Sequence, residues 1–245
     1  SFQTFNAGEP ELAITAQAMQ ARSKRYKKAA EMIPDGKVFS LEEAADLVRK
    51  LPGTKFDQTV TLSFKMGVDP RKGDQMVRGT CPLPHGTGKS VRVAVFAQGA
   101  AAEAAKAAGA EVVGYEDLIA NIKNGVMDFD VAIATPAAMN EVRKLGKQLG
   151  PRGLMPNPRT GTVTEDPAAA VLAVKAGRAD FKLDKNGNIA ASIGKASFAI
   201  EALSENGTAL IDAIVRAKPA SARGKYVHSI PLAAPMSPAI RIDAG

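Results

Sequence analysis

Thr59-Val60-Thr61-Leu62-Ser63-Phe64-Lys65-Met66 alternates apolar Val60, Leu62, Phe64 and Met66 with polar Thr61, Ser63 and Lys65. A period of two predicts a strand with one buried and one wet face, and a one-sided strand belongs to an antiparallel sheet. Gly67-Val68-Asp69-Pro70 stops it by turn chemistry. Its partners must come from far downstream. Residues 179–183 and 189–193 read as a hairpin about Lys185-Asn186-Gly187-Asn188, and residues 227–242 supply the last strands. A helix over 198–217, with Ile200, Leu203, Leu210, Ile211, Ile214 and Val215 on one side, would cover that sheet.

Between the strand and its partners the pattern changes. Apolar strands at 91–97, 111–113 and 130–134 alternate with helices at 100–108, 115–123 and 136–145, which predicts a parallel sheet covered on both faces. The exit from this region, residues 150–161, holds three prolines and three glycines, which exclude regular structure and fix a particular backbone path. A helix over 167–176 follows. The expected fold is therefore α/β with two domains. An outer, discontinuous domain of residues 22–67 plus 162–245 carries antiparallel strands, and residues 68–161 form an inserted α/β domain with parallel strands. Two connections, at Gly67-Val68 and Gly161-Thr162, would form a double hinge favouring rigid-body movement. Residues 1–21, mildly acidic and rich in Ala and Gln, read as an N-terminal extension. The opening Ser1 admits methionine trimming, removal of a targeting peptide or an incomplete chain.

Ahead of the first strand, Ser40-Leu41-Glu42-Glu43 is a capping box that starts a helix running to Leu51-Pro52-Gly53. Earlier still, Arg22, Lys24, Arg25, Lys27 and Lys28 crowd the start of another helix that Pro34-Asp35-Gly36 ends. Lys and Arg outnumber Asp and Glu by 32 to 25, giving +7 and a pI near 9.5. The surplus is local, because the middle of the chain is nearly balanced. A local cationic cluster suits a phosphate backbone, and equally the solvated face of a helix.

Catalytic readings fail on inventory. His85-Gly86-Thr87-Gly88-Lys89-Ser90 ends like a phosphate loop, but Leu83 stands where the first glycine is required and a strand follows instead of a helix. The segment is instead a turn that presents Lys89 and Arg92 to RNA or joins two strands. Cys81 and His85 have ligand-like spacing, yet His228 is the only other imidazole, so neither a metal site nor a cofactor is expected. Cys81 as a nucleophile lacks an activating base. As the single cysteine it excludes an internal disulfide, which fits a reducing compartment without proving one. No strand is followed by Gly-x-Gly-x-x-Gly, which argues against a dinucleotide. No apolar run is long enough to cross a bilayer, so a soluble chain without a membrane partner is expected. A small-molecule enzyme built on the inserted domain remains the alternative class to an RNA-binding protein. It would need convergent titratable groups, and Asp69, Asp130 and Thr135 show no base, metal set or cofactor loop beside them.

Several longer strings resemble one family. They are Lys55-Phe56-Asp57-Gln58-Thr59-Val60, Gly67-Val68-Asp69-Pro70-Arg71-Lys72, Asp74-Gln75-Met76-Val77-Arg78-Gly79-Thr80, Leu83-Pro84-His85-Gly86-Thr87-Gly88-Lys89, residues 149–163, and Gly194-Lys195-Ala196-Ser197-Phe198. In order and spacing they resemble the ribosomal protein L-one family, the large-subunit stalk protein, in its bacterial and organellar form. The resemblance implies a Rossmann-like, three-layer inserted domain and an outer domain that grips the stalk helices of large-subunit ribosomal RNA. It implies release of deacylated tRNA at the exit site and, in bacteria, repression of the protein's own messenger, all by a non-enzymatic monomer within the ribosome. The compartment would be the bacterial cytoplasm, the mitochondrial matrix or the plastid stroma. The RNA-gripping surface maps onto Lys55, Phe56, Thr59, Lys195, Ser197, Ser229 and Met236, with Lys24, Arg25, Ser237 and Arg241 as flanking contacts. The chain departs from the family in Pro235-Met236-Ser237-Pro238, where Thr-Met-Gly-Pro is usual, and in Ala190, where histidine is frequent. A third reading, a repressor acting away from the ribosome, would use the same surface.

Overall fold

A computed structural model describes residues 22–34, 36–222 and 224–243. The extension expected over 1–21 lies outside the described residues, as does Asp35 of the first turn. Ser23 caps α1 (Lys24–Glu31), and Ser40 caps α2 (Leu41–Lys50) through the reciprocal bonds of a capping box, Glu43 N to Ser40 Oγ at 3.2 Å and Ser40 N to Glu43 Oε2 at 3.3 Å. The alternating stretch is β1 (Thr59–Met66), with Val60, Leu62, Phe64 and Met66 all buried.

β1 lies inside an antiparallel sheet of order β7-β1-β8-β9, where β7 is Asn188–Lys195, β8 Val227–Ala233 and β9 Ile240–Ile242. Its apolar face joins α2 and the long helix α8 (Ile200–Arg216) in one core. The parallel sheet, order β4-β3-β5, is formed by β3 (Val93–Phe96), β4 (Val112–Gly114) and β5 (Val131–Ala134). One of its faces packs on α4 (Glu116–Lys123), α5 (Met139–Val142) and α6 (Gly146–Leu149). The other packs on α3 (Ala100–Ala107) and α7 (Pro167–Ala176). Glu111 links both ends of this second core. It accepts from Val93 N at 2.7 Å and from Lys175 Nζ at 2.8 Å, and these bonds hold its carboxyl below the usual range.

Two expectations need correction. The 179–193 segment makes its turn, with Asp184 Oδ1 accepting from Asn186 N at 2.8 Å and Asn188 N at 2.7 Å, but it is not a paired hairpin. β6 (Arg178–Lys182) instead pairs with β2 (Arg78–Pro82), a strand not anticipated, while β7 pairs with β1. Next, the helix expected over 136–145 is a chain of short pieces: α5, a 3-10 turn over Arg143–Leu145, then α6 to Leu149. Core packing crosses positions 67/68 and 161/162. Val68, Val77, Cys81 and Leu83 lie in the core of the antiparallel sheet, and Val171 and Val174 of α7 lie against the parallel one.

Candidate nucleic-acid interface

Three loops meet at one end of the four-stranded sheet: 53–58 before β1, 195–198 at the end of β7, and 234–238 between β8 and β9. Strand register fixes the meeting, because Thr59 lies opposite Lys195 and Thr61 opposite Ala233. Buried Gln58 stitches the first loop to the third. In the amide orientation that satisfies both sides, its nitrogen reaches Pro235 O at 2.8 Å and its oxygen accepts from Thr54 N at 3.0 Å. Ala196 N donates to Gln58 O at 2.8 Å, which ties in the second loop. From α1, the Arg25 guanidinium bridges Gly53 O at 3.4 Å and Met236 O at 3.2 Å.

Side chains are set on this frame by short bonds. Asp57 accepts from Ser197 Oγ at 2.9 Å and Ser197 N at 3.2 Å, and Lys195 Nζ donates to Thr59 Oγ1 at 3.1 Å. Two large apolar groups stand outside the core here, Phe56 at 54% and Met236 at 67% exposure. Among the described residues Met236 is the only non-glycine with positive φ, at 61°. That conformation costs on the order of 1–3 kcal/mol and persists only where its surroundings impose it. Lys24 and Lys55 are exposed. Ser237 is a different case: its hydroxyl donates to Ala234 O at 2.8 Å and accepts from Ala234 N at 3.1 Å, closing the loop instead of facing outward.

From this end the wet face of the sheet extends along β1. Directly opposed residues share a face, so Thr59, Thr61, Ser63 and Lys65 are flanked by Ser192 opposite Thr61, Ala190 opposite Ser63 and Ser229 opposite Lys65. Exposed Arg241 is opposite Pro231 on the edge strand. Ser229 and Arg241 are therefore apart from the loop cluster, with Ser229 about 20 Å along the strand at 3.3 Å per residue. The helices α2 and α8 pack behind the apolar face. The open face is a carpet of hydroxyls with cations at its margins.

Residues 48–238 match the family model described as ribosomal protein L1p/L10e. Large ribosomal subunit protein uL1 of Corynebacterium aurimucosum is 55% identical over 226 residues, 92% of this chain and 97% of that protein. The uL1 protein of Methylobacillus flagellatus is 53% identical over 221 residues, 90% and 96% of the two chains. That of Mycobacteroides abscessus is 52% identical over 227 residues, 93% and 97%. The chain belongs to the ribosomal protein L1p/L10e family. As a ribosomal protein of that family it is not an enzyme.

Two features of this L1p/L10e chain were not legible in its sequence. Arg78 and Lys182 sit directly opposite one another on β2 and β6, both exposed, and neither is in an ion pair among the described residues. Like charges in opposed positions weaken a strand pair. Both border a cavity of about 390 Å³ whose far wall includes Met155, Asn157 and Thr160. Half-buried Arg178 braces that wall by donating to Thr160 O at 3.0 Å and pairing with Asp180 at 3.5 Å. Only the register of two strands distant in sequence places these cations together.

The second feature is Asn206, fully buried on α8. Its Oδ1 accepts from His85 N at 3.0 Å, and its Nδ2 donates to Gly86 O at 3.0 Å and Ile193 O at 2.8 Å. The Pro84–Ser90 segment leads from β2 into β3, so no helix follows it. The expected hinge residues are held as well. Gly67 N donates to Tyr226 O at 2.7 Å, Val68 is buried, Gly161 takes a φ of 64°, and Thr162 Oγ1 accepts from Asn157 N at 2.7 Å. Cys81 is a buried structural thiol, its pKa raised by burial and by Asp212.

Proposed function

We propose that this chain is a structural constituent of the large ribosomal subunit that grips stalk helices of its ribosomal RNA with the open face and loop end of the antiparallel sheet. The observation that carries this is the loop cluster itself. Phe56 and Met236 are held out of the core between Arg25, Lys55, Lys195 and Ser197, on backbone tied down from three directions. RNA is recognised through shape, 2′-hydroxyls and stacking. A carpet of Thr and Ser hydroxyls suits the shallow minor groove, exposed Phe56 suits a sugar or base, and the surrounding cations suit phosphates. The names carried by the bacterial relatives support a place in the large ribosomal subunit.

A second polyanion contact fits the Arg78–Lys182 pair, which supports a role in handling deacylated tRNA at the exit site. Repression of the protein's own messenger would use the first surface on an RNA of similar fold. The chain works as a monomer in the ribosome of a bacterial cytoplasm or of an organelle. No helix among the described residues is long and apolar enough to cross a membrane.

The test is titration of the purified chain with a labelled stalk-type RNA junction and with an unrelated duplex, over a salt series, alongside Phe56→Ala. Selective binding that weakens with salt, with a slope of about 0.7–0.9 per phosphate contact, and that Phe56→Ala impairs while the chain stays folded is expected. Equal, weak binding to both RNAs would overturn the reading.

A further inference from the structure

The Pro84–Ser90 segment belongs to none of the three RNA-facing loops, yet it is fastened to the strand that leads into one of them. Asn206 ties it to β7 through Gly86 O and Ile193 O at once, and His85 Nε2 meets Glu205 Oε2 at 2.7 Å. Gly86 and Gly177 press together on the other side, where a Cβ on Gly177 would stand 2.5 Å from Gly86 Cα. So clamped, the segment lays Gly88, at a φ of 69°, against the side chains of Lys195, the last residue of β7, and Phe198. A Cβ on Gly88 would come within 2.9 Å of Lys195 Cγ and 2.9 Å of Phe198 Cζ. The far end of that lysine is the ammonium that donates to Thr59 Oγ1.

We propose that this segment is a positioning element of the RNA grip: Asn206 fastens it to β7, and Gly88 braces the stem of Lys195 so that its ammonium stays beside Thr59, ready for a phosphate. The proposal rests on the interface reading above and adds a residue set to it. Because the brace works through one cation, its removal should cost one contact and no more. An exposed lysine with a floppy stem loses rotamer freedom when it binds. A stem already packed has lost that freedom beforehand.

The test uses the full chain with stalk-type RNA in four forms: native, Gly88→Ala, Lys195→Ala and the double variant, with Gly36→Ala as control. Gly36 also has a positive φ, 78°, but nothing within 4 Å of its added Cβ, so it reports the backbone penalty alone. Gly88→Ala is expected to weaken binding about threefold to tenfold, the worth of one hydrogen-bonded contact, and to lower the salt slope by about 0.7–0.9. It should add nothing once Lys195 is alanine, and Gly36→Ala should bind as the native chain does. Asn206→Ala, where it folds, should repeat the Gly88→Ala result. Native binding by Gly88→Ala, or an equal further loss in the Lys195→Ala background, would overturn the brace while leaving the interface standing. A native chain that does not discriminate stalk-type from unrelated RNA would overturn both.

Discussion

The parallel and antiparallel sheets of this chain differ in residue pattern and meet solvent differently. The three-stranded sheet is covered on both faces, and its strands read as unbroken apolar runs, Val93-Ala94-Val95-Phe96 and Val131-Ala132-Ile133-Ala134. The four-stranded sheet is covered on one face, and its central strand alternates. The chain's cation surplus follows the same division, since residues 84–177 carry nearly equal numbers of each sign. A sheet that must be stable by itself hides both faces, whereas one that works by contact keeps a polar face free. Stability and binding should therefore respond to different residues in the two regions.

The sharpest way to break that contrast is one change made in both sheets. Val95→Asp puts an unpaired charge at a fully buried position of β3, which costs several kcal/mol, about 3–5 or more, and should abolish a cooperative thermal transition. Ser63→Asp on the open face of β1 should leave the melting temperature nearly unchanged and weaken RNA binding by charge repulsion. Comparable destabilisation by both would end the distinction. Phenylalanines give a second comparison. Phe96→Ala should lose about 3–5 kcal/mol of stability as a core cavity, measured by urea unfolding. Phe56→Ala should lose about 1–3 kcal/mol of RNA affinity, as removal of a stacking platform does, with little change in unfolding.

A smaller effect is expected between the sheets. Replacing either Arg78 or Lys182 by Ala should reduce tRNA binding and its salt slope while leaving the melting temperature level or slightly higher, because it relieves a like-charged pair. A clear fall in stability with tRNA binding intact would show the pair to be structural. The smallest effect is in acid. Glu111 is held below the ordinary carboxylate pKa, first by Lys175 and then by Val93 N. A depressed folded pKa gives stability that is complete above the unfolded value, about 4.3, and is lost as pH falls through the folded one. Unfolding midpoints of the native chain should drop below about pH 4.3 more steeply than those of Glu111→Gln. Matching acid limbs in the two chains would remove Glu111 from the account.

Legibility followed the range of the interactions concerned. The capping box of α2 and the alternation in β1 are local, and the structure reproduces them. So are the alternating strands and helices of the parallel sheet. β2 was missed because Gly79 and Pro82 are poor strand formers and its partner is a hundred residues away. The Asn-Gly turn at 186–187 promised a hairpin, but a turn fixes only the direction of the chain, and each flanking strand found a better partner. α7 is apolar on most sides, so its sequence did not say which core it would join. The loop cluster of Phe56, Lys195 and Met236 was placed by resemblance, and its tight anchoring through Gln58 and Arg25 was not. Asn206 carried no signal at all, since a buried amide looks like any other polar residue on a helix until its acceptors are known.

The order of strands in the four-stranded sheet also bears on how the chain is made. β1 emerges before both of its neighbours, and Lys195, which closes on Thr59, follows it by 136 residues. At the usual pace of synthesis, about 5–20 residues per second, that strand waits for several seconds or longer with its apolar side unpaired. The parallel sheet, all of whose strands lie within that interval, is complete first. A nascent chain is thus exposed at β1 while its middle is already compact, and a chaperone that shields newly made protein would find its target there.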